Sequence, residues 1–418
     1  MAKRLFVLLL LALPVTPWTI AREAQALDPA RYCQVNERRI LSLERRAARR
    51  CNDFTGCSPG ARAGFARRAR AFSDACVRLN QVQVLGTHNS YHIRPEEPLW
   101  SALLAFSPLF SQIEYTHPPL AQQFDDEGIR QIEIDVFADP AGGLYSVRHG
   151  LIAVGLDPNS GIPELDQPGF KVLHLQDIDF LSRCLTFVDC LQDVKQWSDA
   201  HPHHLPIMIL VEAKDDVLPD PGLGFVIPIP IGTPQFDDLD AEIRSVFPPE
   251  QLITPDDVRG SHATLEQAVL AGGWPTLGEA RGRVLFTLDN ASKRNAYLGG
   301  HPGLVGRVLF TNSAPGRTDA AFVERNDPHT AAIPDLIRAG YIVRTRADAD
   351  TQQARTGDTT DRDAALASGA QYVSTDYPVP NPDFGTGYFV EIPGGAPARC
   401  NPVNAPAGCR SQFIETLP

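Results

Sequence analysis

The chain has 418 residues, 50 acidic against 38 basic, and a formal charge of −12. With 43% hydrophobic and 21% charged residues it has the composition of a globular enzyme, which excludes a disordered tail protein or a collagen-like repeat. The acidic balance argues against nucleic acid as a partner, because neutralising phosphates takes a basic surface.

In chain order, the first feature is an export signal. Lys3 and Arg4 precede an uncharged apolar run at 5–14, and Ala24-Gln25-Ala26 supplies a small-x-small cleavage pattern. The run is shorter than the ~20 residues a bilayer-spanning helix needs. Cleavage after Ala26 removes Lys3, Arg4, Arg22 and Glu23, leaves a mature charge of −14, and predicts a secreted or periplasmic protein. All eight cysteines lie beyond the cut, and an even count in an exported chain favours disulfides. Spacing suggests local staples, Cys184 with Cys190 and Cys400 with Cys409. Cys33, Cys51, Cys57 and Cys76 form an N-terminal cluster, with Cys33–Cys76 and Cys51–Cys57 the preferred pairing.

Residues 27–80 read as a polar helical extension. Its arginines (Arg38, Arg39, Arg45, Arg46, Arg49, Arg50) mark a solvated face, with contact to anionic lipid head groups the lesser alternative. From residue 81 to 378, short apolar runs alternate with helical segments. The expected strands are 82–85, 131–137, 144–148, 206–212, 283–288, 307–310, 341–346 and 371–375; helices are expected at 120–127, 185–198, 239–247, 265–271 and 331–339. Continuous apolar runs between amphipathic segments are the pattern of parallel strands covered on both faces. Eight of them predict an α/β fold of the (β/α)8, TIM-type barrel class, irregular where the second helix is short or missing, with a disulfide-stapled tail at 379–418. Two apolar insertions, 99–110 and 222–232, follow strand ends; they either roof the barrel or form a rim that dips into a bilayer.

In such a barrel the active site lies at the C-terminal ends of the strands. The first run ends Gly86-Thr87-His88-Asn89-Ser90, and the second contains Glu133 and Asp135, on one face by the period-2 alternation of a strand. The third ends Arg148-His149-Gly150 and the fourth Glu212-Ala213-Lys214. Carboxylates facing a barrel interior repel unless a cation neutralises them. The all-oxygen set Asn89, Glu133, Asp135 and Glu212 suits a hard cation, Ca²⁺ or Mg²⁺, rather than zinc. Two imidazoles add proton removal and donation near neutral pH, and together the groups indicate phosphodiester cleavage.

These motifs, with Asp177-Ile178-Asp179, Trp274-Pro275, Thr375-Asp376-Tyr377-Pro378 and the Cys400–Cys409 tail, resemble the calcium-dependent bacterial and fungal branch of the phosphatidylinositol-specific phospholipase C superfamily. The resemblance implies His88 and His149 as the catalytic pair, and Asn89, Glu133, Asp135 and Glu212 as calcium ligands. It places Lys214 on substrate phosphates or metal-bound carboxylates, and Arg344 or Arg346 on the head group. Tyr377 either meets the inositol or is a buried loop residue, and Asp177 and Asp179 either cap an insertion or bind metal. The implied substrate is a phospholipid or other phosphodiester, with peripheral membrane contact and no obligate protein partner. The rivals are a glycerophosphodiester phosphodiesterase acting on soluble diesters, a non-catalytic inositol- or glycan-binding barrel, and a disulfide-stapled envelope protein.

Overall fold

The computed structural model describes residues 28–51 and 57–415, with the side chains of Arg50 and Cys51 also outside the description. The expected signal segment and its cleavage site therefore lie outside the described residues. The chain divides into two compact units, one ending at Phe72 and the other beginning at Ser73. Two long helices, Pro29–Cys51 and Pro59–Cys76, form in the extension as expected. In the first, Ile40 and Ala47 are buried, seven residues apart on one face.

The second unit is built on ten strands: β1 (Val82–Thr87), β2 (Gln131–Phe137), β3 (Lys171–Val172), β4 (Ile207–Ala213), β5 (Val284–Leu288), β6 (Leu309–Thr311), β7 (Phe322–Glu324), β8 (Ile342–Arg346), β9 (Tyr372–Thr375) and β10 (Ala398–Cys400). Eight of them run parallel in the order β6-β5-β4-β2-β1-β9-β8-β7, while β3 and β10 add antiparallel to β2 and β1. A parallel bridge between Asn312 and Phe322 joins the two ends, so the barrel is nearly closed. The barrel strands are buried almost throughout, which is why their sequences read as unbroken apolar runs rather than alternations.

Seven of the eight expected barrel strands are present. Residues 144–148 are instead a turn with an isolated bridge, Val147 to Asn159, and the missing strand is β7. Val-Arg-His after an apolar pair mimics a strand end, whereas the three residues of β7 are too few to show a period. The second crossover is accordingly not short: it runs from β2 to β4 through the helix Phe187–Ala200, capped by Thr186. The helix-free connection is the one from β6 to β7.

Cys184–Cys190 and Cys400–Cys409 are bonded as the spacing suggested. Cys33, Cys57 and Cys76 are disulfide-bonded too, while the pairing expected for the N-terminal four involves Cys51, whose side chain lies outside the description. These bonds fit a periplasmic or extracellular location. Among the described residues no helix is long and apolar enough to cross a membrane.

Candidate active site at the barrel mouth

The β1 end is a tightly bonded turn. Thr87 Oγ1 donates to Gln123 Oε1 at 2.8 Å, and Gln123 Nε2 donates to the Ser90 carbonyl at 2.8 Å. Ser90 exchanges two bonds with Glu133, its N–H reaching the Glu133 carbonyl and its Oγ accepting from the Glu133 N–H, both at 2.9 Å. Between these anchors Asn89 takes a left-handed backbone, φ 43°, which asparagine tolerates better than most residues. Its Nδ2 donates to the Tyr115 hydroxyl at 2.9 Å, leaving a buried Oδ1 without a hydrogen-bond partner.

Glu133, Asp135 and Glu212 come together on the adjacent strands β2 and β4, with carboxylate oxygens all within 4.8 Å of one another. Asp135 is fully buried and neither of its oxygens has a hydrogen-bond partner. Burial raises its pKa well above the usual carboxylate value, Lys214 opposes the rise, and Glu212 and Glu133 add to it. Lys214 Nζ sits 3.4 Å from Asp135 and 3.3 Å from Glu212. Burial likewise pushes Glu133 up to about 7 against the pull of Arg344. The three crowded carboxylates, with both Asp135 oxygens orphaned, form a hard-oxygen donor set that fits a divalent cation such as Ca²⁺, and Asn89 Oδ1 is a further orphaned oxygen at the end of the neighbouring strand β1.

Each histidine leans on its own carboxylate. His88 Nδ1 is 2.7 Å from Asp376 Oδ1, and the His88 carbonyl accepts from His117 Nε2 at 2.9 Å. Burial first, then Arg346, lowers the His88 pKa to about 3, although Asp376 works the other way. Burial would raise Asp376, yet His88 and Arg346 hold it below the usual carboxylate range. His149 lies beyond the end of β2; its ring Nδ1 and its backbone N–H both meet Asp177 Oδ1, at 2.8 and 2.9 Å. The second Asp177 oxygen accepts from the Val226 N–H at 2.7 Å, tying the 222–232 insertion to the same carboxylate. Asp177 also has a left-handed backbone, φ 66°. A Cβ at Gly150 would lie 2.3 Å from the Asp177 carbonyl oxygen, so only glycine fits beside His149.

Arg344 and Arg346 both point inward, as alternation requires, but do different things. Arg344 is 2% exposed and bonded to Glu133 (2.6 Å), Glu324 (2.7 Å) and Ser374 (3.2 Å), which commits it to the carboxylates. Arg346 bonds Asp376 at 3.0 Å and lies 3.4 Å from His88 Nε2. Tyr377 is a buried loop residue whose hydroxyl donates to the Glu114 carbonyl at 3.2 Å.

Asp179 does not join the carboxylates of β2 and β4. It is fully buried and holds His92 Nε2 at 2.9 Å and His174 Nδ1 at 2.7 Å. Burial raises its pKa, but the two histidines outweigh that and bring it down to about 2. The stabilisation is thus complete above the unfolded value of about 3.9 and is lost as pH falls through about 2. Asp179→Ala is expected to cost about 3–5 kcal/mol, the range for breaking a buried ion pair. Thermal unfolding at pH 7 that matched the parent would refute that role.

Sequence reasoning missed the His88–Asp376 pair and the Asp289–Glu324 pair. Asp289 is raised to about 10, by burial and by Glu324. Asp376 and Asp289 directly follow β9 and β5, so the strand-end rule that selected Glu212 would also have selected them. The strand-end rule does not reach Asp177, which sits in a long loop and is singled out by the resemblance alone, as a cap or metal ligand rather than as the partner of His149.

A barrel mouth with paired His–Asp units beside an oxygen-donor cluster brings together the groups that metal-assisted phosphodiester cleavage uses. The model of the family described as phosphoinositide phospholipase C, Ca²⁺-dependent, matches residues 77–402, and the chain belongs to that family. It is an enzyme with phosphatidylinositol phospholipase activity, and its family is calcium-dependent. Among solved structures, a Ca²⁺-dependent phosphatidylinositol-specific phospholipase C from Streptomyces antibioticus is 18% identical, over 74% of this chain and 96% of that one, with a TM-score of 0.45. A calcium-dependent phosphoinositol-specific phospholipase C from a Pseudomonas species, in a study that includes a myoinositol complex, is 16% identical over 77% and 95%, with a TM-score of 0.47. No curated protein matches the chain.

Proposed function

We infer that the enzyme cleaves phosphatidylinositol to diacylglycerol and a cyclic inositol phosphate, by attack of the inositol 2-hydroxyl on phosphorus. The observation that carries this reading is the pair of carboxylate-held imidazoles beside a buried oxygen cluster. Asn89, Glu133, Asp135 and Glu212 would hold the ion. When bound, Ca²⁺ supplies a Lewis acid for a phosphoryl oxygen and favours ionisation of the attacking hydroxyl.

The residues divide the proton work. Asp376 fixes the Nδ1 proton of His88, and Arg346 faces its Nε2, so the ring is neutral and suited to accept the 2-hydroxyl proton. Asp177 holds the His149 ring by its Nδ1, which orients the other ring nitrogen to donate a proton to the departing diacylglycerol oxygen. One O–P bond forms, one breaks, and the proton balance is restored when the two rings exchange roles in hydrolysis of the cyclic product. Lys214 screens the carboxylates, and Arg346 offers a cation to the head group or its phosphate.

Turnover of phosphatidylinositol with and without a calcium chelator, with products identified by phosphorus NMR, tests the reading. A cyclic phosphate formed only with calcium is expected; exclusive turnover of glycerophosphoinositol would transfer the chain to the soluble-diester alternative.

Membrane contact through the two insertions is part of the same proposal. The helix Leu99–Phe106 packs on the turn His149–Val154, and a Cβ at Gly224 would lie 3.7 Å from His149 Cδ2. On these two insertions Phe106 is 82% exposed, Leu109 68% and Ile227 70%, which supports a rim rather than a roof. Phe106→Asp with Ile227→Asp is expected to weaken binding to phosphatidylcholine vesicles at least about tenfold, as burial of one such side chain is worth about 1.5–3 kcal/mol. Unchanged vesicle binding would favour the roof.

A further inference from the structure

The N-terminal helices lie outside the region that matches the family, and their charge is opposite to that of the rest. Residues 27–72 carry eleven arginines against Asp28, Glu37, Glu44 and Asp53, a net +7, while the remainder of the mature chain carries −21. The arginines are not scattered. At about 100° per residue, Arg31, Arg38, Arg45 and Arg49 fall within about 40° of one another around the helix Pro29–Cys51, and Arg46 and Arg39 widen the arc to about 120°. All six are exposed. Within that arc stand only Val35 and Ser42 besides; Glu37 and Glu44 fall outside it, and the buried Ile40 and Ala47 lie opposite. At a rise of about 1.5 Å per residue, the stripe is about 27 Å long.

We propose that this arginine stripe is a docking surface for an anionic lipid bilayer and tethers the enzyme to the membrane that holds its substrate. The inference rests on the phosphatidylinositol reading for its biological sense, but its physical case is charge complementarity. A body of −21 is repelled by a surface rich in acidic lipids, including its own substrate, and the apolar rim has no reach beyond contact. A basic face attracts over roughly a Debye length, about 10 Å at 0.1 M salt, and arginine forks match phosphate oxygens in pairs. A merely solvated helix has no need to sort its carboxylates away from its arginines. Nucleic acid is the rival polyanion, but the −21 body would oppose it along any length of duplex.

The test is co-sedimentation with phosphatidylcholine vesicles containing phosphatidylglycerol, an anionic lipid with no inositol to attack. The full-length protein is expected to bind these vesicles more tightly than pure phosphatidylcholine, and to release as salt rises from about 50 to about 200 mM. Arg31→Gln, Arg38→Gln, Arg45→Gln and Arg49→Gln together should lower anionic-vesicle binding at least about tenfold. The matching four lysine substitutions should keep most of it. Turnover of a short-chain, monomeric phosphatidylinositol should be unchanged in both variants, which also reports that the enzyme is folded. Equal vesicle binding by the glutamine variant, or a preference of the parent for duplex DNA over the anionic vesicles, would overturn the proposal. Loss of phosphatidylinositol turnover in the parent, with anionic-vesicle binding intact, would instead remove the substrate reading and leave the tether standing.

Discussion

His149→Ala is expected to reduce kcat on phosphatidylinositol by about 10²–10⁴, and His88→Ala by a similar factor, the range for loss of a positioned acid or base. The two variants should separate when the leaving group is changed. Diacylglycerol leaves as an alkoxide of high basicity and needs a proton in the transition state, whereas a nitrophenol leaves without one. On an inositol phosphodiester of nitrophenol, the His149→Ala deficit should shrink by at least about tenfold, while His88→Ala stays impaired because the 2-hydroxyl still has to lose its proton. The opposite pattern would exchange the two roles; near-full activity in both variants on the lipid would remove both histidines from the chemistry. Asp376→Asn and Asp177→Asn should give the same separation in weaker form, since each carboxylate reaches the proton transfer through the ring it holds, although Asp376 also bonds Arg346 and Asp177 the Val226 N–H.

Asp135→Asn is expected to lose calcium binding, with an affinity drop beyond the 10–100-fold typical of residues that only support a ligand. The readout need not be activity. At calcium about 100 times its dissociation constant, the parent should gain about 2.7 kcal/mol of stability by mass action, seen as a rise in Tm, and the variant should gain almost none. Asp135 is fully buried beside two acidic neighbours and 3.4 Å from Lys214 Nζ. The amide relieves the carboxylate crowding but gives up that ion pair, so the calcium-induced shift within each protein is the quantity to compare. A variant that kept the full calcium-induced shift would show that the ion is held elsewhere.

The parts of the molecule legible in the sequence are those where a residue's surroundings follow from its own strand. β2 and β4 announce themselves because burial on both faces leaves no room for polar residues except at the mouth, and Glu133, Asp135 and Glu212 are therefore conspicuous. β7 is illegible because three residues set no period, and residues 144–148 mislead because a turn packed beneath an insertion can be as apolar as a strand. The His149–Asp177 bond spans 28 residues of loop and depends on a left-handed backbone, which no local pattern encodes. The division of labour between Arg344 and Arg346 was equally hidden: they share a face, and only the positions of Glu324 and Asp376 on other strands send one to the core and the other to His88.

The joint between β6 and β7 has a mechanical consequence. Apart from β1 and β2, which meet at one register position but are also tied by Ser90 to Glu133, the other neighbours share longer ladders. This pair is instead closed by the Asn312–Phe322 bridge, helped by the Asn312 side chain, which accepts from the Glu324 N–H at 3.1 Å and donates to the Asp289 carbonyl at 3.0 Å. A cylinder fastened so lightly along one line should breathe there first, and amide protons flanking it should exchange with solvent sooner than those between β2 and β4. Because Asp289 and Glu324 stand on either side of that line, such breathing would loosen the grip of Arg344, and with it the anchorage of Glu133, without unfolding anything else.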